Sequence, residues 1–191
     1  ISNTINDNPI KNKFSLYNKI TNRSTFEHLS KINVANVVFL DEVDYYNFWF
    51  RDKVIFNKIV FNKEFDFTLS NCDSTISFYE STFHRSVKFS WANFNESLNM
   101  SRSKFYDDVE FVRTYFNGYV DFYKSKLNKQ IDCYGVKILN GLNFNNSQLL
   151  KGIDLSFSEL SGDISFRNAE LGGDIYLNNA QINNNLDFTG A

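Results

Sequence analysis

The chain has 191 residues, of which 42% are hydrophobic, a formal charge of −2 and only two cysteines. This is enough apolar material for the core of one domain, and too little positive charge for a protein held to nucleic acid through phosphate contacts. No run of 18 apolar residues and no signal-peptide pattern occurs, so no membrane insertion by this segment is expected, and the sparse cysteines suit a reducing, cytoplasmic compartment.

At the N-terminus, Asn8 can cap a helix and Pro9 suits its first position, while Ile10, Phe14, Tyr17 and Ile20 or Thr21 fall on one face. Ser24-Thr25-Phe26-Glu27 then reads as a capping box. These signals predict a helical cap over residues 1–31. The rival reading is that Phe26 and His28 carry the following repeat one unit further back.

From Ile32 a repeat takes over. Ile32, Val34, Val37 and Phe39 begin it, followed by Val43, Tyr45, Phe48 and Phe50, then Val54, Phe56, Ile59 and Phe61. Bulky residues at Val37, Phe48 and Ile59, where later units have small ones, predict distorted first coils. Counting in elevens from Phe67 lands on Phe78, Phe89, Met100, Phe111, Phe122, Cys133, Phe144, Leu155, Phe166, Leu177 and Phe188. Eight of these twelve are Phe, against about one by chance, and so fixed a period marks a solenoid. A second column, five residues behind, runs from Cys72, Phe83 and Phe94 to Leu171 and Ile182.

The unit is [V/I/L]-x-[F/L]-x-x-[S/A]-x-[F/L]-x-x-x, as in Val120-Asp121-Phe122-Tyr123-Lys124-Ser125-Lys126-Leu127. Each half holds two inward residues separated by one polar residue, the period of a short strand. The position two before the first column is bulky from Ile76 to Leu186; two before the second it is small, Val136 excepted. Two such units per turn would enclose a rectangular interior, all-β and four-sided. A turn closed by a single unit would give a thinner, two-faced coil with too little room for this many rings at crystal-like density.

The motif halves Ala169-Glu170-Leu171, Ala180-Gln181-Ile182, Ala92-Asn93-Phe94 and Ser158-Glu159-Leu160 resemble the A-(D/N)-L-x-x unit of the pentapeptide-repeat family. The V-x-F halves depart from that summary and resemble its variant with alternating F-x-x-A-x-F and V-x-F units. What the resemblance implies is a right-handed, four-sided β-helix over residues 32–191. About seven turns at the ~4.8 Å strand spacing make a rod of roughly 35 Å. It also implies a non-catalytic interaction scaffold. Some relatives imitate double-stranded DNA and bind type II topoisomerases, and this variant also occurs as a module of longer membrane proteins. The final unit, Asn183 to Ala191, stops midway and Ile1 is not Met, so a fragment is expected, with an open end through which two copies could pair.

Candidate chemistry is thin. His28 and His84 are the only near-neutral bases and are not expected to meet; no metal spacing, phosphate loop or cofactor motif occurs. Cys72 and Cys133 fall in core columns about three coils apart, beyond disulfide reach. Sequons at Asn22, Asn95, Asn99 and Asn145 are those expected of an Asn- and Ser-rich chain. Glu110, Asp132 and Asp154 recur in one outward slot, once in every second unit, and predict an acidic ladder, read as a solvated strand face because Lys104 and Lys126 form a basic one elsewhere. Tyr115, Tyr119 and Tyr123, with Tyr106 and Tyr134 in adjoining turns, are the candidate surface for an unknown protein partner.

Overall fold

A computed structural model describes the strand His28–Leu29 and residues 31–191. Every described strand is parallel to its neighbours, and from Ile32 on the partner of each residue lies two units along the chain, as in Ile76↔Leu98 and Phe83↔Phe105. The chain is therefore a four-sided solenoid of about seven coils, right-handed in type, and the two-faced alternative is excluded. Face 1 stacks His28–Leu29, Trp49–Phe50, Asn71–Cys72, Asn93–Phe94, Tyr115–Phe116, Lys137–Ile138, Glu159–Leu160 and Gln181–Ile182. Face 2 stacks Ile32–Ala35, Val54–Asn57, Ile76–Ser77, Leu98–Asn99, Val120–Asp121, Gly141–Asn143, Asp163–Ser165 and Leu186–Asp187. Face 3 runs from Val38–Phe39 through Thr82–Phe83, Lys104–Phe105 and Lys126–Leu127 to Glu170–Leu171. Face 4 runs from Val43–Asp44 through Val87–Lys88, Val109–Glu110, Ile131–Asp132 and Ile153–Asp154 to Ile175–Tyr176.

Each coil aims eight side chains inward. In one of them Ile76, Phe78, Ser81, Phe83, Val87, Phe89, Ala92 and Phe94 are all essentially inaccessible. Because the strands pair without stagger, each side chain stacks on its counterpart in the next coil, in several columns Phe on Phe. Phe39, Phe61, Phe83 and Phe105 form one column with centroids 5.3, 4.7 and 4.9 Å apart and nearly parallel rings. Phe122, Phe144, Phe166 and Phe188 form another at 4.9, 5.2 and 5.1 Å. Burial of a Phe contributes about 1.5–3 kcal/mol, and an aromatic pair about 0.5–1.5 kcal/mol beyond it.

The V-x-F halves supply faces 2 and 4, and a tight turn follows each. Ser81 N–H closes the turn on the Phe78 carbonyl (3.1 Å), and Glu80 between them has φ +56°. A positive φ recurs once in every unit from Asn36 to Gly190, the mark of a type II geometry, although most of the residues there are not glycine. The small column next to it does more than save space. Ser103 Oγ donates to the Phe78 carbonyl of the preceding coil (2.6 Å) and accepts the N–H of Ser81 (3.1 Å), satisfying two buried backbone groups at once. Ser70, Ser81, Thr114, Ser125 and Ser147 donate in the same way at 2.6–2.8 Å. Gly118 is required for a different reason: a Cβ there would lie 2.2 Å from the Glu96 carbonyl carbon of the coil beneath.

The expected helical cap falls mostly on residues 1–27, outside the described residues, but its last part is corrected. His28–Leu29 is a strand paired to Trp49–Phe50, so the coil extends back to His28, but at an offset of 21 residues that sets Leu29 rather than His28 against Phe50. The bulky small-column residues do not break the coil either. Ile32 still pairs Val54 at the common register, and the N–H groups of Phe48 and Ile59 are met by Ser70 and Ser81 of the next coil (3.1 and 3.0 Å). Among the described residues no helix is long and apolar enough to cross a membrane.

Replacing Ser103 by Ala should destabilise the coil by about 1 kcal/mol, read from urea denaturation, because it removes the hydroxyl's two bonds and leaves the Phe78 carbonyl and the Ser81 N–H only their bond to each other. Alkaline pH should also unfold the protein. Burial pushes the Tyr45 phenol up to about 12 and raises the Cys72 and Cys133 thiols. Each neutral form is favoured by folding, so stability is intact below the ordinary values of about 8.5 and 10 and falls as pH rises through them. Tyr45→Phe should remove about 2 kcal/mol of that loss between pH 10 and 12, measured from urea midpoints across the range.

Candidate interaction surface

With the inside of the rod filled, its four faces, their corners and its ends are what can meet another molecule. The faces differ in charge. Face 4 exposes two residues per coil, one on each side of its buried core residue. These slots hold Glu42, Asp44, Glu64, Asp66, Asp108, Glu110, Asp132, Asp154 and Asp174 against Lys88 alone, nine carboxylates to one ammonium group. The whole chain is only −2. The equivalent slots on face 2 hold Asp121, Asp163 and Asp187 against Lys31 and Lys53.

The acidic ladder is present in register, Glu110↔Asp132↔Asp154, and is the middle of this longer column. Its members have structural work as well. Asp132 accepts the Tyr134 N–H (3.0 Å) and Asp154 accepts the Ser156 N–H (2.8 Å), each capping the turn that follows. Burial raises the Glu110 carboxyl, Lys88 opposes that shift, and Asp132, Asp108 and Glu64 add to it. Lys88 itself is tied to Glu64 at 2.7 Å. The basic pair Lys104↔Lys126 stands on face 3.

The candidate tyrosines do not form one patch. Tyr115 projects from face 1, Tyr119 from the corner of faces 1 and 2, Tyr123 from the corner of faces 2 and 3, Tyr106 from the corner of faces 3 and 4, and Tyr134 from the corner of faces 4 and 1. They ring the rod. His84 is exposed and stacks on Tyr106 (centroids 5.1 Å apart), and His28 lies on face 1. Among the described residues no group of His, Cys, Asp or Glu could hold a metal ion. Both cysteines are buried and unpaired with each other.

The grouping that sequence reading missed is at the corner of faces 4 and 1. Its two turn positions carry one large apolar residue in each of six consecutive coils: Tyr46, Leu69, Trp91, Val112, Tyr134 and Phe157. Tyr46, Trp91 and Phe157 are 51%, 51% and 55% exposed. Turn bonds hold them in line, such as Trp91 N–H to the Val112 carbonyl (2.9 Å), and the Arg113 guanidinium lies 4.9 Å over the Trp91 ring. The opposite corner, of faces 2 and 3, has the same backbone but holds pairs such as Asn57-Lys58, Ser101-Arg102, Asn145-Asn146 and Arg167-Asn168, with Tyr79 and Tyr123 its only large rings. A frame of one unit overlays the two corners and averages this difference away. A frame of two units, one whole coil, would have separated them.

No curated protein and no solved structure matches the chain. The family model described as pentapeptide repeats matches nine copies over residues 78–126. The small-x-Leu/Phe frame, the four flat sheets and the type II corners agree with that match. Residues 78–126 match pentapeptide repeats and lie within a coil whose two-unit register continues on both sides.

Proposed function

We propose that the chain is a non-catalytic protein-interaction scaffold, a stiff rod that presents chemically distinct faces to another protein. The observation that carries this reading is the segregation of surface chemistry on a uniform backbone. Face 4 gathers nine carboxylates and one lysine, and one corner gathers the large apolar residues while the equivalent corner stays polar. Packing and turn geometry alone would distribute these residues evenly, since all coils share the same bonds. Several polar groups with acid–base capacity are engaged otherwise: Asp132 and Asp154 cap turns, and Lys137 pairs with Glu159 at 2.8 Å. The repeat family found here is in general structural or interaction-mediating rather than enzymatic. The test is a photo-crosslinking amino acid placed singly at Asn93, Asn99, Thr82 and Trp91, three faces and a corner, in the cell that makes the protein. A scaffold yields a discrete protein adduct from one or two positions, and the same smear or no adduct from all four would refute it.

A second reading, imitation of double-stranded DNA toward a type II topoisomerase, is favoured by face 4. Nine carboxylates over seven rungs amount to about one per 3–4 Å of rod, close to the ~3.4 Å per phosphate of one DNA strand. Lys88 interrupts the row, and face 2, with three Asp against two Lys, has no comparable excess of acid. On this reading the protein inhibits gyrase supercoiling, and Glu110→Gln with Asp132→Asn and Asp154→Asn weakens the inhibition about tenfold. Unimpaired supercoiling at a large molar excess removes it.

A further inference from the structure

The corner of faces 4 and 1 is costly in two ways. Leu69, Trp91 and Phe157 sit at φ +61°, +61° and +59°, where residues other than Gly and Asn are disfavoured, and they place large apolar surface in water. The opposite corner avoids the second cost with Lys58, Glu80, Arg102, Lys124, Asn146 and Asn168 in the same slot. The turn does not require this difference, because both corners make the same turn bonds; the contacts special to this corner, Arg113 over Trp91 and Tyr134 against Phe157 at 5.2 Å, still leave Trp91 and Phe157 more than half exposed. A contiguous line of exposed rings and aliphatic groups is instead what a protein contact uses.

Geometry and charge restrict the partner. The line runs along the rod axis with one apolar residue per rung, at axial steps of ~4.8 Å, in the positive-φ slot at Leu69, Trp91 and Phe157 and in the slot before it at the half-buried Val112 and Tyr134. An α-helix laid alongside offers one apolar residue per ~5.4 Å turn, so three turns stay within about 2 Å of register. An extended strand offers one every ~6.6 Å on a given side and falls out of step at once. One flank of the line is the acidic face 4, and the other is face 1, where Asn71, Asn93, Tyr115 and Lys137 project. We infer that this corner is a docking ridge for a basic amphipathic helix of a protein partner, its apolar stripe lying on Leu69, Trp91, Val112, Tyr134 and Phe157 and its Lys or Arg flank turned toward Glu110, Asp132 and Asp154.

This ridge rests on the scaffold reading and deepens it. A second copy of this chain fits less well, because its basic ladder, Lys104 and Lys126, stands in the middle of face 3 rather than beside an apolar line.

The probe is a synthetic helical peptide of about five turns, with a Leu stripe flanked on one side by Lys, and a counterpart carrying Glu in place of Lys. Binding is followed by fluorescence anisotropy of the labelled peptide. The Lys peptide should bind saturably and the Glu peptide at least about tenfold more weakly. Trp91→Asn with Phe157→Asn should cost about tenfold or more in affinity. Asn suits both slots, since Asn47 and Asn179 already occupy this column, so circular dichroism melting should show the variant folded. Tyr79→Asn with Tyr123→Asn at the opposite corner should change nothing. Glu110→Gln with Asp132→Asn and Asp154→Asn should flatten the salt dependence. The ridge is overturned if the Lys peptide fails to bind the unaltered protein, if Trp91→Asn with Phe157→Asn binds it equally, or if the Glu peptide binds as tightly. A concentration-dependent dimer abolished by Trp91→Asn with Phe157→Asn also overturns it in favour of self-association. Photo-crosslinks confined to Thr82 or Asn99 would leave the scaffold standing and remove only the ridge.

Discussion

Parallel pairing of each strand with its counterpart exactly one coil away is the constraint on which the rest depends. Each strand has only two to four residues, too few to hold a sheet alone, and it is fixed because three other faces repeat the same offset. Once that offset is set, every side chain stands above its counterpart in the coil below. Phe therefore stacks on Phe in several columns, while Cys72 fills the rung between Phe50 and Phe94, and Phe65 the rung between Val43 and Val87. The near-parallel rings of Phe61, Phe83 and Phe105 are the direct result. A residue that slipped by one would turn its core side chain outward, which costs its whole burial.

The corners follow from the same constraint. A chain that turns so tightly leaves buried carbonyls in the turn, and the neighbouring coil must satisfy them. The small column does this with hydroxyls, as Ser81 does for Phe56 and Ser103 for Phe78. Ala92 and Ala169 keep the space without the bond, which explains why the column accepts Ser, Thr and Ala as equivalents of size. Outward Asp and Asn at the V-x-F strands cap the same turns from outside, as with Asp121 to Tyr123 and Asn99 to Ser101. Much of the acidic column on face 4 is therefore used twice, once in holding a turn and once in setting the charge of a surface.

This double use also connects the fold to the proposed role. The backbone offers equal corners and nearly equal faces, so chemistry placed on one and withheld from another is a property of surface rather than of folding. Face 4 is acidic and the adjoining corner is apolar, and the two lie side by side along the rod. The rigid coil keeps them in line, so a partner would meet a preformed surface and lose little order on the scaffold's side.

Core and coil were legible in the residues themselves. The recurrence from Phe67 to Phe188, the small partner column and the V-x-F halves required a solenoid and placed Phe89, Phe111 and Phe144 inside it, because burial selects residue type at every repeat. The acidic trio was also legible, being in one slot. That two units close a turn followed from the sequence only through the room the rings need, and it is this count that sorts the outward residues into neighbours. Only the folded coil showed that Tyr115, Tyr119 and Tyr123 point in different directions, and that Leu69, Trp91 and Phe157 share an edge. It showed too that His28 belongs to the coil rather than to a helix. Inward positions recur with every unit because both halves of a coil bury the same kinds of side chain; outward ones recur only with every full coil, because a surface has no such requirement and differs from side to side.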